Sequence, residues 1–516
     1  MSFTDYLFLP AFAVTAVIYF NISKEFQWIV LLCASLMFYS TWGGLQIFYL
    51  GAAVLIAWGT ALAISAMQQK TAEKMAGISF ADRKEKAAFQ KRERKKWRRV
   101  LIVGIAAVLG ILVFVKLDKF FEIEGLSLIV PLGISYYTLS LVGYMADVYW
   151  RKEHAEKNPF RLLLFAAYFP KIIEGPISKH KNTAAQLFEP HAFDYERFCF
   201  GLQRTLFGYF KKLVIADRLS IFADSVFGSY TQQHGAILFL AALASALQMY
   251  CDFSGCMDIA LGVSDALGIS LEENFNHPFF SKTVSEFWRR WHMSLNAWFR
   301  DYLFMPIVVS PSFIRRSAKL QKKCGKQTGK ALMNILPLLL VWTLTGLWHG
   351  TGVNYLLWGA YWALLMILSG LLEGPLKEVT AMLQIPVTSR IWKGYQCLRT
   401  LLLFTICRVI AAQSTPAAAG VILLKILTDF APRTLAGGVL FEQGLNAAEL
   451  VLVLLSLCFL WYVSAMQEKG VVFRERIGAL PIGARWVLYF GAIAIVLIFG
   501  VYGASYDASA FVYQAY

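Results

Sequence analysis

Apolar positions in this chain do not alternate with polar ones at the period of an amphipathic helix or a strand; they run together. Continuous stretches recur from end to end: "YLFLPAFAVTAVIYF" (6–20), "WIVLLCASLMFYSTW" (28–42), "LIVGIAAVLGILVFV" (101–115), "ILPLLLVWTLTGLW" (335–348), "YLLWGAYWALLMILSGLL" (355–372), "LVLVLLSLCFLWYV" (450–463) and "WVLYFGAIAIVLIFGVYG" (486–503). Several are shorter than the ~20 residues of a straight membrane crossing. The pattern predicts an all-α, multi-pass membrane protein with roughly a dozen helices, some tilted, broken or re-entrant. No internal repeat, low-complexity linker or second soluble domain interrupts it, so 1–516 reads as one membrane-embedded domain.

Composition agrees: 58% of the 516 residues are hydrophobic and 16% charged, more apolar material than one soluble core of this length uses. The opening "MSFTDY" carries Asp5 and no basic residue, so it lacks the n-region of a cleavable signal peptide and is expected to be the mature end. The eight cysteines are scattered, mostly through apolar runs, with no C-x-x-C pair and no metal spacing; they read as packing residues, and no metal is expected.

Charge changes the picture by setting direction. The net charge of +16 is concentrated in 70–99, where twelve Lys and Arg face four acids, and in 311–330, where seven basic residues meet no acid. A nucleic-acid patch is the alternative, but basic connections between spans mark the cytoplasmic side, so 69–99 and 311–330 are read as basic cytoplasmic loops. The three preceding spans then leave the N-terminus outside. Spans at 101–115 and 128–148 return the chain inside at "RKEHAEKN". The final span runs outward, which makes 504–516 an extracytoplasmic tail.

Candidate chemistry sits on two of the seven histidines; His154, His180, His191, His234 and His277 lie in polar, loop-like sequence where a solvated surface role is the default. His349 closes an apolar run in which Trp342, Thr345, Gly346 and His349 share a helical face, and Gly350-Thr351-Gly352 is expected to break the helix there, at membrane depth. A helix broken in the bilayer lines protein or a water-filled cavity, and an ionisable group on that wall is a functional candidate. The bland reading is a neutral histidine bonded to a neighbouring helix.

His292 lies in "SEFWRRWHMSLNAWFRDYLFMPI" (285–307), where Trp288, His292 and Asn296 are spaced by four and Glu286, Arg289, Arg290, Arg300 and Asp301 crowd around them. An interfacial amphipathic helix explains the arginines and tryptophans, not the embedded His and Asn. Trp288, Asn296, Arg300, Asp301 and Trp348 form the candidate substrate-binding set. Asp252, Asp258 and Asp265 interrupt another apolar stretch and imply internal polar partners. No G-x-S-x-G, H-E-x-x-H, Walker or Rossmann motif is present. A histidine without a serine or cysteine nucleophile suits direct transfer: the base takes a proton from a hydroxyl as its oxygen attacks an acyl carbon, and Asn296 or a backbone amide steadies the oxyanion.

The stretches "PLGISYYTLSLVGYMADVY" (131–149), "YFPKIIEGPI" (168–177), "GYFKKLVIADRL" (208–219), "DFSGCMDIALG" (252–262), "ENFNHPFFSKTVSEFWRRWHMSLNAWFRDYLFMPI" (273–307) and "LTGLWHGTGVNYLLWGAYWAL" (344–364) resemble the membrane-bound O-acyltransferase (MBOAT) superfamily, in its bacterial polysaccharide-modifying branch. The alginate O-acetyltransferase group and the teichoic-acid D-alanyl transferases are the nearest patterns. The resemblance implies a partly re-entrant ring of helices around a through-membrane funnel in the bacterial cytoplasmic (inner) membrane. It makes His349 the invariant histidine and base, with His292 the second histidine of the same funnel.

It also implies no bound cofactor, an acyl donor that is either acetyl-CoA or an acyl carrier protein thioester, membrane lipid around the helices, and an extracytoplasmic SGNH-type partner. No nucleic acid is involved. The closing "FVYQAY" (511–516) is similar to the F-x-Y-x-x-F motif of related transferases, with Tyr516 in place of the final Phe; the resemblance makes Tyr513 a candidate acyl relay, against a plain interfacial anchor. The expected function is O-acetylation of an extracytoplasmic polysaccharide. D-alanyl transfer from a carrier protein is the alternative, to which the basic surface is suited. A proton-relaying transporter and acylation of a protein or small lipophile are further readings.

Overall fold

The computed structural model describes residues 1–44, 46–121, 131–350 and 352–502. The expected tail at 504–516, with Tyr513, lies outside the described residues, as do Thr351 and the start of the expected 128–148 span. Among the described residues the chain is helical throughout, with one isolated antiparallel bridge, Phe275 to Trp291. Among the described residues eight helices are long and apolar enough to cross a membrane, and two shorter apolar ones, Phe8–Asn21 and Pro416–Thr428, accompany them. Their outer faces expose large apolar side chains such as Val487, Leu497 and Leu336, a surface that only lipid satisfies.

The chain divides into two compact units, Met1–Leu202 with Ala260–Glu272, and Gln203–Ile259 with Glu273–Tyr516. In the first, the helices Gln46–Gly77 and Arg83–Phe121 pack closely at Gly104, where any side chain would run into Thr60. The segment read as a loop at 69–99 is helical except for a turn at 78–82. Its Lys, Arg, Glu, Gln and Ala residues are strong helix formers. Asp82 accepts from the Glu85 amide at 2.6 Å while Glu85 reaches back to the Ala81 amide at 2.7 Å, so the new helix starts with its amides satisfied. At 32 and 39 residues these helices are roughly 48 and 58 Å long, more than the ~30 Å hydrocarbon core, and their basic ends stand clear of it.

In the second unit the basic 311–330 segment is likewise helical. Pro311–Cys324 is capped by Ser310, whose Oγ accepts from the Phe313 amide at 3.3 Å, and Gly325 turns the chain at φ 82° into Lys326–His349. Lys326–His349 and Val353–Met382 form a hairpin. Gly346 abuts the Tyr355 carbonyl and Gly359 the Trp342 carbonyl so tightly that a Cβ at either would clash, the small-residue contact that lets membrane helices approach.

Between Tyr195–Tyr209 and Asp217–Gly228 the turns widen to π geometry over Phe210–Ala216. Lys211 Nζ there meets Asp258 at 2.6 Å and Ser254 at 2.9 Å, and Lys212 Nζ meets Asp252 at 2.6 Å and Asp217 at 3.0 Å. Arg204 joins Asp258 at 2.9 Å and grips Glu273 with both terminal nitrogens at 2.7 and 2.6 Å. Buried charges are tolerated when paired in this way. The internal partners expected for Asp252 and Asp258 are these cations; in the first unit Asp265 meets Arg197 at 3.5 Å.

Candidate active site

Glu286, in the first turn of the Val284–Arg290 helix, accepts from the Lys282 amide at 2.9 Å while Thr283 accepts from the Glu286 amide at 3.1 Å. The helix stops at Trp291, which is extended, and His292 turns the chain at φ 46°, ψ 54°, a conformation sparsely used by residues other than glycine. Helix then resumes at Met293–Phe299. The break frees carbonyls at the end of the first helix, and Asn296 Nδ2 donates to three of them: Trp288 O and Trp291 O, both at 2.7 Å, and His292 O at 3.1 Å. Asn296 is therefore committed to holding the turn and is not the spare oxyanion donor expected of it.

His292 is 1% exposed. Its Nδ1 lies 3.2 Å from Asn274 Oδ1, which also accepts from the Ser294 amide at 3.0 Å and Ser294 Oγ at 2.9 Å. A backbone N–H can only donate, so the atom facing it is the amide oxygen, and His292 must carry its proton on Nδ1. That makes Nε2 the basic nitrogen. Phe253 stands edge-on to the ring at 4.8 Å between centroids, and Asn274 Nδ2 points at Met257 Sδ 3.3 Å away.

His349, also buried, ends the Lys326–His349 helix. Trp342, Thr345, Gly346 and His349 do share the inward face: three are buried and Gly346 touches the returning helix. The break after His349 is a reversal rather than an interruption. The helix of 24 residues is roughly 36 Å long, enough to cross the hydrocarbon core, and the chain turns back at Gly350 into Val353–Met382. His349 thus sits at a hairpin tip, its ring 4.9 Å from Trp348 and 4.8 Å from Trp358 between centroids.

His292 lies 5.9 Å from the same Trp348 ring, so one indole stands against both imidazoles. Trp288, Trp342, Trp358 and Trp362 pack beside them, with Trp288 4.7 Å from Trp342 and 4.9 Å from Trp362. The structure therefore brings together His292, His349, Trp288 and Trp348. Arg300 and Asp301 pair with each other at 2.7 Å on a second π turn, with 63% of the Arg300 side chain exposed, so the arginine faces outward.

Asn274 is a site residue that sequence reading missed; the one clue was an Asn in "ENFNHP", a polar residue amid aromatics. His180, expected at the surface, is buried between Tyr144 and Phe165 and pairs with Glu153, because a hydrogen-bond partner distant in sequence makes the interior tolerable. Neither the described His, Cys, Asp and Glu side chains nor their spacing forms a group that could hold a metal ion.

Residues 151–321 match the membrane-bound O-acyltransferase family, a stretch that contains Asn274, His292 and Asn296. The chain is 31% identical over 372 residues to a probable alginate O-acetylase AlgI of Pseudomonas aeruginosa, covering 69% of this chain and 62% of that protein. It belongs to the membrane-bound O-acyltransferase family. As a family member it is also similar to a peptidoglycan O-acetyltransferase of Helicobacter pylori, 31% identical over 295 residues and covering 50% of this chain and 53% of the other. A teichoic acid D-alanyltransferase of Bacillus subtilis is 33% identical over 246 residues, 46% of this chain and 59% of the other. The chain thus matches between about half and two thirds of the length of these relatives. His349 lies beyond the family-matched stretch, yet this MBOAT protein places it beside His292.

Proposed function

We propose that this MBOAT protein is an O-acyltransferase that carries an acyl group, acetyl first, from a cytoplasmic thioester across the membrane to a hydroxyl of a cell-envelope or secreted polysaccharide. The observation that carries this reading is the pair of buried imidazoles on one indole, His292 locked as the Nδ1–H tautomer by Asn274. The hydroxyl oxygen attacks the thioester carbon as its proton passes to His349. The C–S bond breaks, and the thiolate leaves and collects that proton. Burial first, and the neighbouring His349 second, favour the neutral form of His292, and a neutral neighbour with an acceptor nitrogen at Nε2 suits a transiently charged His349.

The donor is acetyl-CoA or an acyl carrier protein thioester, Tyr513 is an acyl relay on the way to the acceptor, and an extracytoplasmic SGNH-type partner completes the transfer. The protein resides in the bacterial inner membrane with its N-terminus outside, as the basic helical ends at 70–99 and 311–330 imply by the positive-inside rule. D-alanyl transfer is the second reading, supported by the similarity to the Bacillus subtilis protein. The test is incubation of the purified protein with radiolabelled acetyl-CoA, followed by peptide mass spectrometry. Acetyl on Tyr513, absent from His349→Ala and Tyr513→Phe, supports the scheme. No label on the wild type, with transfer restored by a D-alanyl carrier, selects the second reading.

A further inference from the structure

Arg408 lies within the apolar helix Arg390–Ala412, 7% exposed. A guanidinium stays charged at every physiological pH and carries five donors. Here Nη2 reaches Ser245 Oγ at 3.3 Å, Nε is buried with no hydrogen-bond partner, and no carboxylate comes within ion-pair distance among the described residues. The buried lysines of this unit are compensated, Lys211 and Lys212 by aspartates, while Arg218 is held by the carbonyls of Val214 and Phe499 with its own Nε unpartnered. An uncompensated charge at this depth is expensive to keep.

Its position is informative. Arg390–Ala412 runs antiparallel to Val353–Met382: Tyr361 OH donates to Leu403 O at 2.8 Å, Trp362 Nε1 to Cys407 Sγ at 2.9 Å, and Asn354 Nδ2 to Gln413 O. Arg408, one residue past Cys407 toward Gln413, therefore falls just beyond the level of Trp362, on the side of Trp358, the ring against His349. Ser245, its partner, lies eight residues before Phe253, the ring against His292, or roughly 12 Å along their helix. Two further buried polar atoms without partners stand at the same end, Asn354 Oδ1 and Gln413 Nε2. A fixed fork of donors and a hydroxyl beside it, with a second amide donor farther along at the same end, match a planar or tetrahedral oxyanion.

We propose that Arg408, with Ser245 and Gln413, forms an oxyanion-binding subsite that takes a carboxylate or phosphate of the substrate and holds it beside His349. The substrate part of this inference rests on the transferase reading. The anion belongs either to an acidic acceptor or to the acyl donor, and the chemistry recognised is the same.

The test is thermal unfolding of the full-length protein in detergent, titrated separately with D-glucuronate, glycerol phosphate, CoA and neutral glucose. At least one anion should raise Tm saturably while glucose does not, and the half-effective concentration should rise on the order of 10- to 100-fold in Arg408→Gln, the loss of hydrogen bonds to a charged partner. Arg408→Lys keeps the charge without the fork and should weaken binding by about tenfold, a check if the Gln variant unfolds. CoA as the effective probe assigns the subsite to the donor; glucuronate or glycerol phosphate assigns it to the acceptor. No response in the wild type, or equal responses in wild type and variants, overturns the subsite. Because Tm needs no turnover, a protein that binds the anion but is labelled by neither acetyl-CoA nor a D-alanyl carrier discards the transferase reading and keeps the subsite.

Discussion

Asn274→Ala removes the oxygen that accepts three hydrogen bonds, from His292 Nδ1 at 3.2 Å, the Ser294 amide at 3.0 Å and Ser294 Oγ at 2.9 Å, along with the weaker Nδ2 contact to Met257 Sδ. All three are buried, and a net value of about 1 kcal/mol each gives a loss of about 3 kcal/mol, with the orphaned Ser294 amide adding to it. The imidazole also loses the acceptor that keeps its proton on Nδ1. General-base assistance contributes about 10²- to 10⁴-fold, and a base, His349, whose neighbouring imidazole is free to flip forfeits part of it; kcat for acyl transfer should fall about 10- to 100-fold with KM unchanged. Ser294→Ala is the control, since it deletes only the hydroxyl bond and should cost about 1 kcal/mol and less than threefold in kcat. The assay is initial-rate transfer of radiolabelled acetyl from CoA to a soluble acceptor, with Tm measured on the same preparations. A kcat within twofold of wild type in a folded Asn274→Ala protein would refute the claim that Asn274 sets the tautomer of His292.

Gly359→Val places a branched side chain against the Trp342 carbonyl and should lower Tm by several degrees, consistent with a loss of about 3 kcal/mol, whereas Gly370→Ala, where only a methyl at 3.7 Å approaches, should change little. Lys212→Met leaves Asp252, whose side chain is wholly buried, without its cation and should cost about 3–5 kcal/mol; adding Asp252→Leu should restore part of that Tm, as removal of both partners of a buried pair does. Asn296→Asp cannot donate to the Trp288, Trp291 and His292 carbonyls and should lower Tm and kcat together; a loss of kcat alone would return Asn296 to the role of oxyanion donor.

What was legible in the chain was whatever depends on near neighbours. Long apolar runs gave the membrane class, and the i, i+3, i+4, i+7 spacing of Trp342, Thr345, Gly346 and His349 placed them inward because the periodicity of a helix is local. Charge misled twice. The runs at 70–99 and 311–330 read as loops, yet Lys, Arg, Glu and Ala favour helix, and helices long enough to leave the bilayer carry their charge into water. His180 sat among polar residues in the chain but among aromatic rings in space. Asn274 and Asn296 both required knowledge of the backbone: the first acts across 18 residues on His292, and the second acts only because helix stops at Trp291.

The π turns at Phe210–Ala216 have a consequence for how this gene can change length. A widened turn is one residue more than an α-helix needs, and each residue rotates everything before it by about 100° relative to everything after. Removing any one codon within 213–216 would leave an ordinary helix of nearly unaltered composition. It would also turn Arg204, Lys211 and Lys212, which all precede that point, relative to the helix that follows, and so carry Lys212 off Asp217. Substitutions in this stretch are graded by chemistry, but a deletion is graded by angle, and there the chain has no residue to spare.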